Sequence, residues 1–446
     1  MIEKFGVGNR VKKILITGLP IIGGQLSLVL MGMADTVMVG KLGHTSIAAT
    51  GLSVSIFFLV SIFGIGLISA TTPMITAYRV KNEESILPAF FRDLLITGQL
   101  TSILIFICLM IIIIILPQLG QEKEVVKLAR PFLLLLAVSV FPMNWYLSGK
   151  SVCDGFFITK IPMIITTFAL LLNIFFNWIF IYGNLGFTAM GLTGAGLATL
   201  LARIFMAVCI SIYIFRTEKI GFRIKDTFSG LLSKTNYYKP ILKLGVPAGF
   251  QFFFEIVAFS GAAIIAGKLG SVQQASHQIA INIASFTFMF AVGISVSGSM
   301  YVAEYYAKND ITAARKYGIS SLKLIIMVEV IFALIFIFFN KPLTGIYTKE
   351  LPVLNTASKL LLIAAVFQIV DGMQAISLGL LRGLHDTKIP SYLTFVAYWL
   401  IGIPLALFLG LNTKLGIYGI WWALTFSLFF ISISATWRFL NKTSSA

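Results

Sequence analysis

Runs of about 20 apolar residues recur along the whole chain, and few folds can accommodate them. Twelve can be marked off, at 14–38, 46–77, 90–116, 126–149, 160–182, 191–215, 239–266, 272–303, 319–339, 353–381, 390–410 and 416–438. In hydrocarbon every backbone N–H and C=O must find its partner inside the protein, so only helices and closed barrels span. Barrel strands alternate apolar and polar residues over about ten positions, and these runs do not alternate. The expected fold is an all-α polytopic membrane protein with twelve transmembrane helices. Composition agrees: 58% of residues are hydrophobic and 11% charged, whereas a soluble domain is about a quarter charged. The 46–77 and 272–303 runs exceed one bilayer crossing, so tilt or helical extensions are expected there.

A formal charge of +17 would fit nucleic-acid binding if a basic soluble domain existed to present it. None does. The basic residues sit in short loops between apolar runs. One set of loops holds Arg10, Lys12 and Lys13; Arg79, Lys81 and Arg92; Lys150 and Lys160; Arg216, Lys219, Arg223, Lys225, Lys234, Lys239 and Lys243; and further Lys and Arg up to Lys442. The alternate loops are much poorer, so the first set is expected to be cytoplasmic, and both termini with it. Cys108, Cys153 and Cys209 are far apart without a C-x-x-C, so neither a disulfide framework nor a metal site is implied. The first apolar run is long and reads as a retained helix rather than a cleaved signal.

The chain repeats itself. Pro20 and Pro247 are 227 residues apart, and the same shift carries Gly40-Lys41-Leu42-Gly43 onto Gly267-Lys268-Leu269-Gly270. It continues to Phe63/Phe290, Gly66/Gly293 and Lys81-Asn82/Lys308-Asn309; later, Thr159–Pro162 recurs as Thr387–Pro390. Six spans per half is an even number, so the halves have the same orientation, as in transporter-type parallel repeats with a substrate path between them. The expected organisation is two pseudo-symmetric six-helix bundles, 1–220 and 239–446, joined by a cytoplasmic linker at 221–238.

No Walker A loop is present: the nearest approach, Gly149-Lys150-Ser151, has Asn144 at the upstream glycine position. An ion gradient is therefore the default energy source, with no cofactor. Ionisable residues within spans are functional candidates, and here they are Asp35, Arg203, Glu255, Glu329 and Asp371. At 1.5 Å per residue, Glu255 lies roughly 18 Å from the Lys243 end of its helix and Asp371 roughly 16 Å from the Arg382 end of its own. They can share one layer, where one proton or one Na⁺ between two carboxylates is favourable. Asp35 aligns with Ala262 in the repeat, and Glu255 with Leu28. Each half thus owns an acid, on the same helix face about two turns apart. Asn173 and Asn177 share a face at i, i+4, serving either interhelical hydrogen bonds or an ion site, and Thr199 can join either. By the same count the two amides lie roughly 20 and 26 Å above Lys160, with Asp35 higher still on a straight helix. Pro20 and Pro247 favour a kink, either a static bend or a hinge. His277 and Glu329 are further cavity candidates.

These features resemble the multidrug and toxic compound extrusion (MATE) family, in its NorM-type branch. The resemblance rests on Pro20 followed by Asp35-Thr36 and the Gly40–Gly43 close, on Glu255 in GFQFFFEIVAFS, on Asp371 in FQIVDGMQAISLGLLRGLHDTKIP, and on Asn173-x3-Asn177-Trp178. It implies secondary active efflux of amphipathic, often cationic drugs in exchange for Na⁺ or H⁺ by alternating access, hence a role in antibiotic resistance. Asp35 would be the cation acid of the first half, with Pro20 as bending point and Asn173 as amide partner. Asn177 stands where some relatives carry an aspartate. Glu255 and Asp371 would be the cation acids of the second half and the pair that would hold a Na⁺. Phe367 stands where some relatives have a tyrosine oxygen. A monomer in a bacterial inner membrane is expected, meeting drugs, organic cations and lipids but no nucleic acid. The rival reading is a lipid-linked oligosaccharide flippase of related fold, which would carry more cavity cations and fewer acids. An enzyme such as a prenyl transferase would need clustered aspartates for Mg²⁺-diphosphate, and no D-D-x-x-D occurs.

Overall fold

The computed structural model describes residues 7–118, 120–228 and 237–444. Twelve helical segments are long and apolar enough to cross a membrane. They are α1 (Val7–Gly40), α2 (His44–Val80), α3 (Glu84–Gln118), α4 (Lys123–Gly155), α5 (Lys160–Tyr182), α6 (Leu192–Arg216), α7 (Tyr238–Leu269), α8 (Ser271–Ala307), α9 (Ile311–Phe338), α10 (Leu351–Gly383), α11 (Lys388–Leu411) and α12 (Ile417–Lys442). No strand occurs among the described residues. Polar first and last turns were not legible as span, so α1 starts seven residues before the apolar run at 14–38. The two long runs become 37-residue segments, each roughly 55 Å of helix against about 30 Å of hydrocarbon. Of the linker expected at 221–238, residues 229–236, Lys234 among them, lie outside the described residues, as do Ser445 and Ala446 of the tail.

The sequence repeat reappears as repeated backbone geometry. Both GKLG closes end in a glycine at positive φ, Gly43 at 105° and Gly270 at 129°. In each, the glycine N–H donates three residues back, and its carbonyl accepts the first bond of the next helix. Asn82 and Asn309 both adopt the left-handed conformation, φ 57° and 59°, as asparagine tolerates. Phe157 and His385, just before the two Thr-Lys-Ile-Pro copies, do the same at 61° and 57°. At each of these helix ends the next two N–H groups satisfy carbonyls that the helix leaves open.

Three spans are interrupted. In α2 the regular helix stops at Ser69 and resumes at Thr72; Thr71 Oγ1 donates to the Ile68 carbonyl at 2.7 Å, ahead of Pro73. In α4 the break falls at Ser139, whose hydroxyl donates to the Leu136 carbonyl at 2.6 Å. In α11 a wide π turn covers Val396–Gly402. It sits just before Pro404, which has no N–H to return to the preceding turn.

The chain forms two compact units. One joins the described residues up to Ile22 with those from Phe250 onward, and the other is Gly23–Gly249. This division crosses the one drawn at 220 and 239 from the sequence. Both crossovers lie two residues past a proline, Pro20 on α1 and Pro247 on α7, and neither helix is broken there. Each unit has its own core. The first centres on buried Tyr398, Trp421 and Phe439. The second holds one cluster around Phe90 and Tyr146 and another around Phe57 and Phe132. Leu104, Ile111 and Ile114 of α3 stay exposed, as lipid-facing side chains do.

In the first unit α8 packs along α10 through small residues. A Cβ on Gly379 would come within 2.1 Å of Ser295 Oγ, and one on Gly383 within 2.6 Å of the Ser299 carbonyl oxygen. Backbone cannot swing aside as a side chain does. Gly383→Ala should therefore cost about 1–3 kcal/mol as overpacking, read as a lower thermal midpoint of the purified protein in detergent. An unchanged midpoint would contradict this packing.

Candidate functional site

In the unit Gly23–Gly249, small residues bring α1 onto α5. A Cβ on Gly24 would already touch Thr166 Oγ1 at 3.4 Å and the Met163 Cα at 3.5 Å. One turn on, the hydroxyls of Ser27 and Thr167 meet at 3.1 Å. Further along the same pair of helices, Tyr182 donates its O–H to the Met38 carbonyl at 2.7 Å, and Lys41 lies over the Tyr182 ring. Asp35 is held between these fixed points.

Its two carboxylate oxygens have separate donors. Asn177 Nδ2 donates to Oδ1 at 2.6 Å, and Thr199 Oγ1 donates to Oδ2 at 3.0 Å. Asn177 Nδ2 also reaches Asn173 Oδ1 at 3.2 Å. Asn173, Asn177 and Thr199 are buried. Counting 1.5 Å per residue along straight helices put Asp35 above both asparagines; instead it is level with Asn177. α1 begins at Val7 and α5 at Lys160, and counts along the two helices do not share a depth scale. Every group here that meets Asp35 through oxygen or amide is suited to a hard cation or a proton.

The second constellation lies wholly in the other unit. Glu255 of α7 and Asp371 of α10 interact electrostatically, and Glu329 of α9 acts on Asp371 as well. Tyr398 of α11 donates its O–H to Gln374 Oε1 at 3.0 Å. With its Oε1 so engaged, Gln374 has its amide N–H₂ left to act on the nearby Glu255 carboxylate. Gln368 donates to the Glu329 main-chain carbonyl at 3.2 Å and accepts from Thr287 Oγ1 at 3.0 Å. Glu329 itself fits beside Gly372: a Cβ there would sit 2.8 Å from its Cγ. Glu329 Oε2 and Asp371 Oδ1 are buried without a hydrogen-bond partner among the described residues. Among the described residues no group of three or more His, Cys, Asp or Glu side chains is arranged to hold a metal.

Other candidates fall elsewhere. Phe367 is 2% exposed and packs between Phe259 and Trp421, with ring centroids 6.0 and 5.3 Å away. His277 stacks edge-on against the same Trp421. Both side chains pack against the Trp421 core. Sequence reasoning missed Gln368, Gln374, Thr287 and Tyr398. The first two had a legible signal, because Gln368, Asp371 and Gln374 recur every third residue on one stripe of α10. Tyr398 had none, since its hydroxyl is delivered by the π turn of α11.

Twelve spans among the described residues, a twofold internal repeat and in-span carboxylates in each compact unit describe a polytopic helical membrane protein of transporter type. The chain belongs to the MatE family, whose model matches residues 20–179 and 247–408. It is 30% identical over 430 residues to a probable multidrug resistance protein NorM of Photorhabdus laumondii, covering 96% of this chain and 94% of that one. It is 28% identical to the multidrug resistance protein NorM of Aliivibrio fischeri, covering 95% and 94%. A MOP superfamily transporter from Pyrococcus furiosus shares the fold with a TM-score of 0.89 at 20% identity, over 98% of this chain and 96% of that one.

Removing the Asn177 amide leaves one Asp35 oxygen without its donor, at a cost of about 1–3 kcal/mol. Asn177→Ala should therefore destabilise the protein by that amount, and by clearly less in an Asp35→Asn background. A double-mutant cycle of thermal stability checks the coupling; strictly additive effects would contradict the bond.

Proposed function

We propose that this protein is a secondary active multidrug efflux transporter. It exports amphipathic, often cationic organic compounds in exchange for Na⁺ or H⁺ by alternating between inward- and outward-open states. The observation that carries the reading is that each compact unit holds its own in-span acid: Asp35, met by two neutral donors, in one, and Glu255 with Asp371 in the other. Such groups are costly to insert and retained where they do work. The relatives named as multidrug resistance proteins support the substrate class.

Coupling requires the ion to prefer one conformation. Asp35, with Asn173, Asn177 and Thr199, is the ion-responsive group of one unit; Glu255 and Asp371 are that of the other, with Glu329 as a further acid. Pro20 and Pro247 are the helix hinges, a role supported by the change of unit two residues beyond each. The two sequence halves, 1–220 and 239–446, act as the lobes of the repeat. One charge moving down 100 mV supplies about 2.3 kcal/mol, so one or two ions suffice for modest drug gradients. The protein acts as a monomer in a bacterial inner membrane, with both termini in the cytoplasm, as the Lys and Arg distribution supports.

In cells expressing the full chain, Glu255→Gln or Asp371→Asn should abolish drug efflux while membrane protein levels stay near wild type. Efflux at wild-type rates in both variants would exclude the second-unit site from the mechanism.

A further inference from the structure

Among the in-span ionisable residues singled out from the sequence, Arg203 of the Gly23–Gly249 unit is not used by the reading above. Arg203 lies on α6, one helical turn beyond Thr199, the residue that donates to Asp35. Residues i and i+4 share a helix face, so the guanidinium sits on the face that carries the carboxylate site. It is partly buried and does not bond Asp35 directly. Its Nη1 donates to Ser139 Oγ at 2.6 Å, at the break in α4. Its Cζ stands 4.6 Å from the ring centroid of Phe57 on α2. A hydroxyl and a ring face hold the cation without neutralising it. Asp35 and Arg203 attract one another electrostatically.

The other unit is built alike from unrelated positions. Arg382 acts electrostatically on Glu255 and stands 5.5 Å over the ring of Phe252. Arg203 is in the sixth span and Arg382 in the tenth, so the repeat does not relate them. In both places an arginine is parked on a phenylalanine face within electrostatic range of an acid that it does not bond directly.

We propose that Arg203 is the resident counter-charge of the Asp35 site and sets how tightly that site takes up its coupling cation. The inference rests on Asp35 being a cation site. With Asp35 ionised, the pair is balanced. An entering Na⁺ or proton neutralises the carboxylate and leaves Arg203 uncompensated, which weakens uptake and favours release. A tighter site would hold its ion and stall the cycle. The groups facing Asp35 are Asn173 and Asn177 from α5, and Thr199 and Arg203 from α6; Arg203 is the charged one. Facing Arg203 are Phe57 from α2 and Ser139 from α4, neither of them charged. A unit charge within about 10 Å at an effective dielectric of about 20 changes such an equilibrium by roughly tenfold.

The test uses the purified full-length protein in detergent. NaCl is titrated at constant ionic strength and pH, protons are titrated separately at fixed Na⁺, and thermal stabilisation is followed as the measure of cation uptake. The Asp35-dependent response is the difference between wild type and Asp35→Asn. Arg203→Met should move its half-point roughly tenfold towards lower Na⁺ or H⁺ concentration, and Arg203→Lys, which keeps the charge, should leave it within about twofold. A half-point for Arg203→Met that is unchanged, or moved to higher cation concentration, overturns the proposal. If Asp35→Asn itself leaves both titrations as in wild type, the cation-site reading fails first, and this inference with it. Should Arg203→Met fold poorly, charge balance is read in the double variant. Asp35→Asn strands the arginine, so Asp35→Asn/Arg203→Met should melt above Asp35→Asn alone; melting at or below it overturns the proposal.

Discussion

A carboxylate inside a membrane span costs about 2.5–3.5 kcal/mol on insertion scales, and the protein meets that cost with neutral donors. At Asp35 those donors are one amide and one hydroxyl, at 2.6 and 3.0 Å. Much of the Gly23–Gly249 unit serves to bring them there. Gly24 and Ser27 let α1 approach α5, Tyr182 fixes the far end of the pair, and Thr199 enters from α6. Donors that carry no charge hold the acid without bonding it to a fixed cation, which on the proposed reading leaves it open to a mobile one. A lysine or arginine bonded directly to Asp35 would have been a static ion pair, as Arg438 and Lys442 make with Asp386.

The repeat supplies scaffold and not chemistry. Its copies share turns down to the left-handed residue at each helix end: Gly43 and Gly270, Asn82 and Asn309, Phe157 and His385. The acids do not follow it. Asp35 is met by Asn177 and Thr199; Glu255 is met by Gln374, which Tyr398 orients, and it shares its surroundings with Asp371 and Glu329. On the proposed reading, two sites of different make-up take up their ions with different affinities and in different conformations, as one duplicated site would not.

The fold was legible in the sequence because hydrocarbon leaves so few choices: apolar runs marked the twelve spans, and the repeat marked the turns that recur between them. The acids were legible for the same reason, since a charge in such a run stands out. What surrounds them was less so. Asn173 and Asn177 declared a common face by their spacing, but their level relative to Asp35 depended on where α1 begins. The polar stripe Gln368–Asp371–Gln374 was present in the letters and went unread. Tyr398 was not readable at all, because a π turn rotates it into place. Phe367 and His277, singled out by position and by polarity, are side chains of the Trp421 core.

The central claim is that ion uptake at these acids drives export. It is tested most directly with purified protein in proteoliposomes, with a Na⁺ gradient or an H⁺ gradient imposed one at a time and a fluorescent organic cation as cargo. One of the two gradients should drive uphill movement of the cargo, and the Asp35→Asn/Glu255→Gln double variant should abolish that movement while facilitated downhill flux persists. Uphill transport that survives in the double variant, or that neither gradient drives in the wild type, would contradict the account.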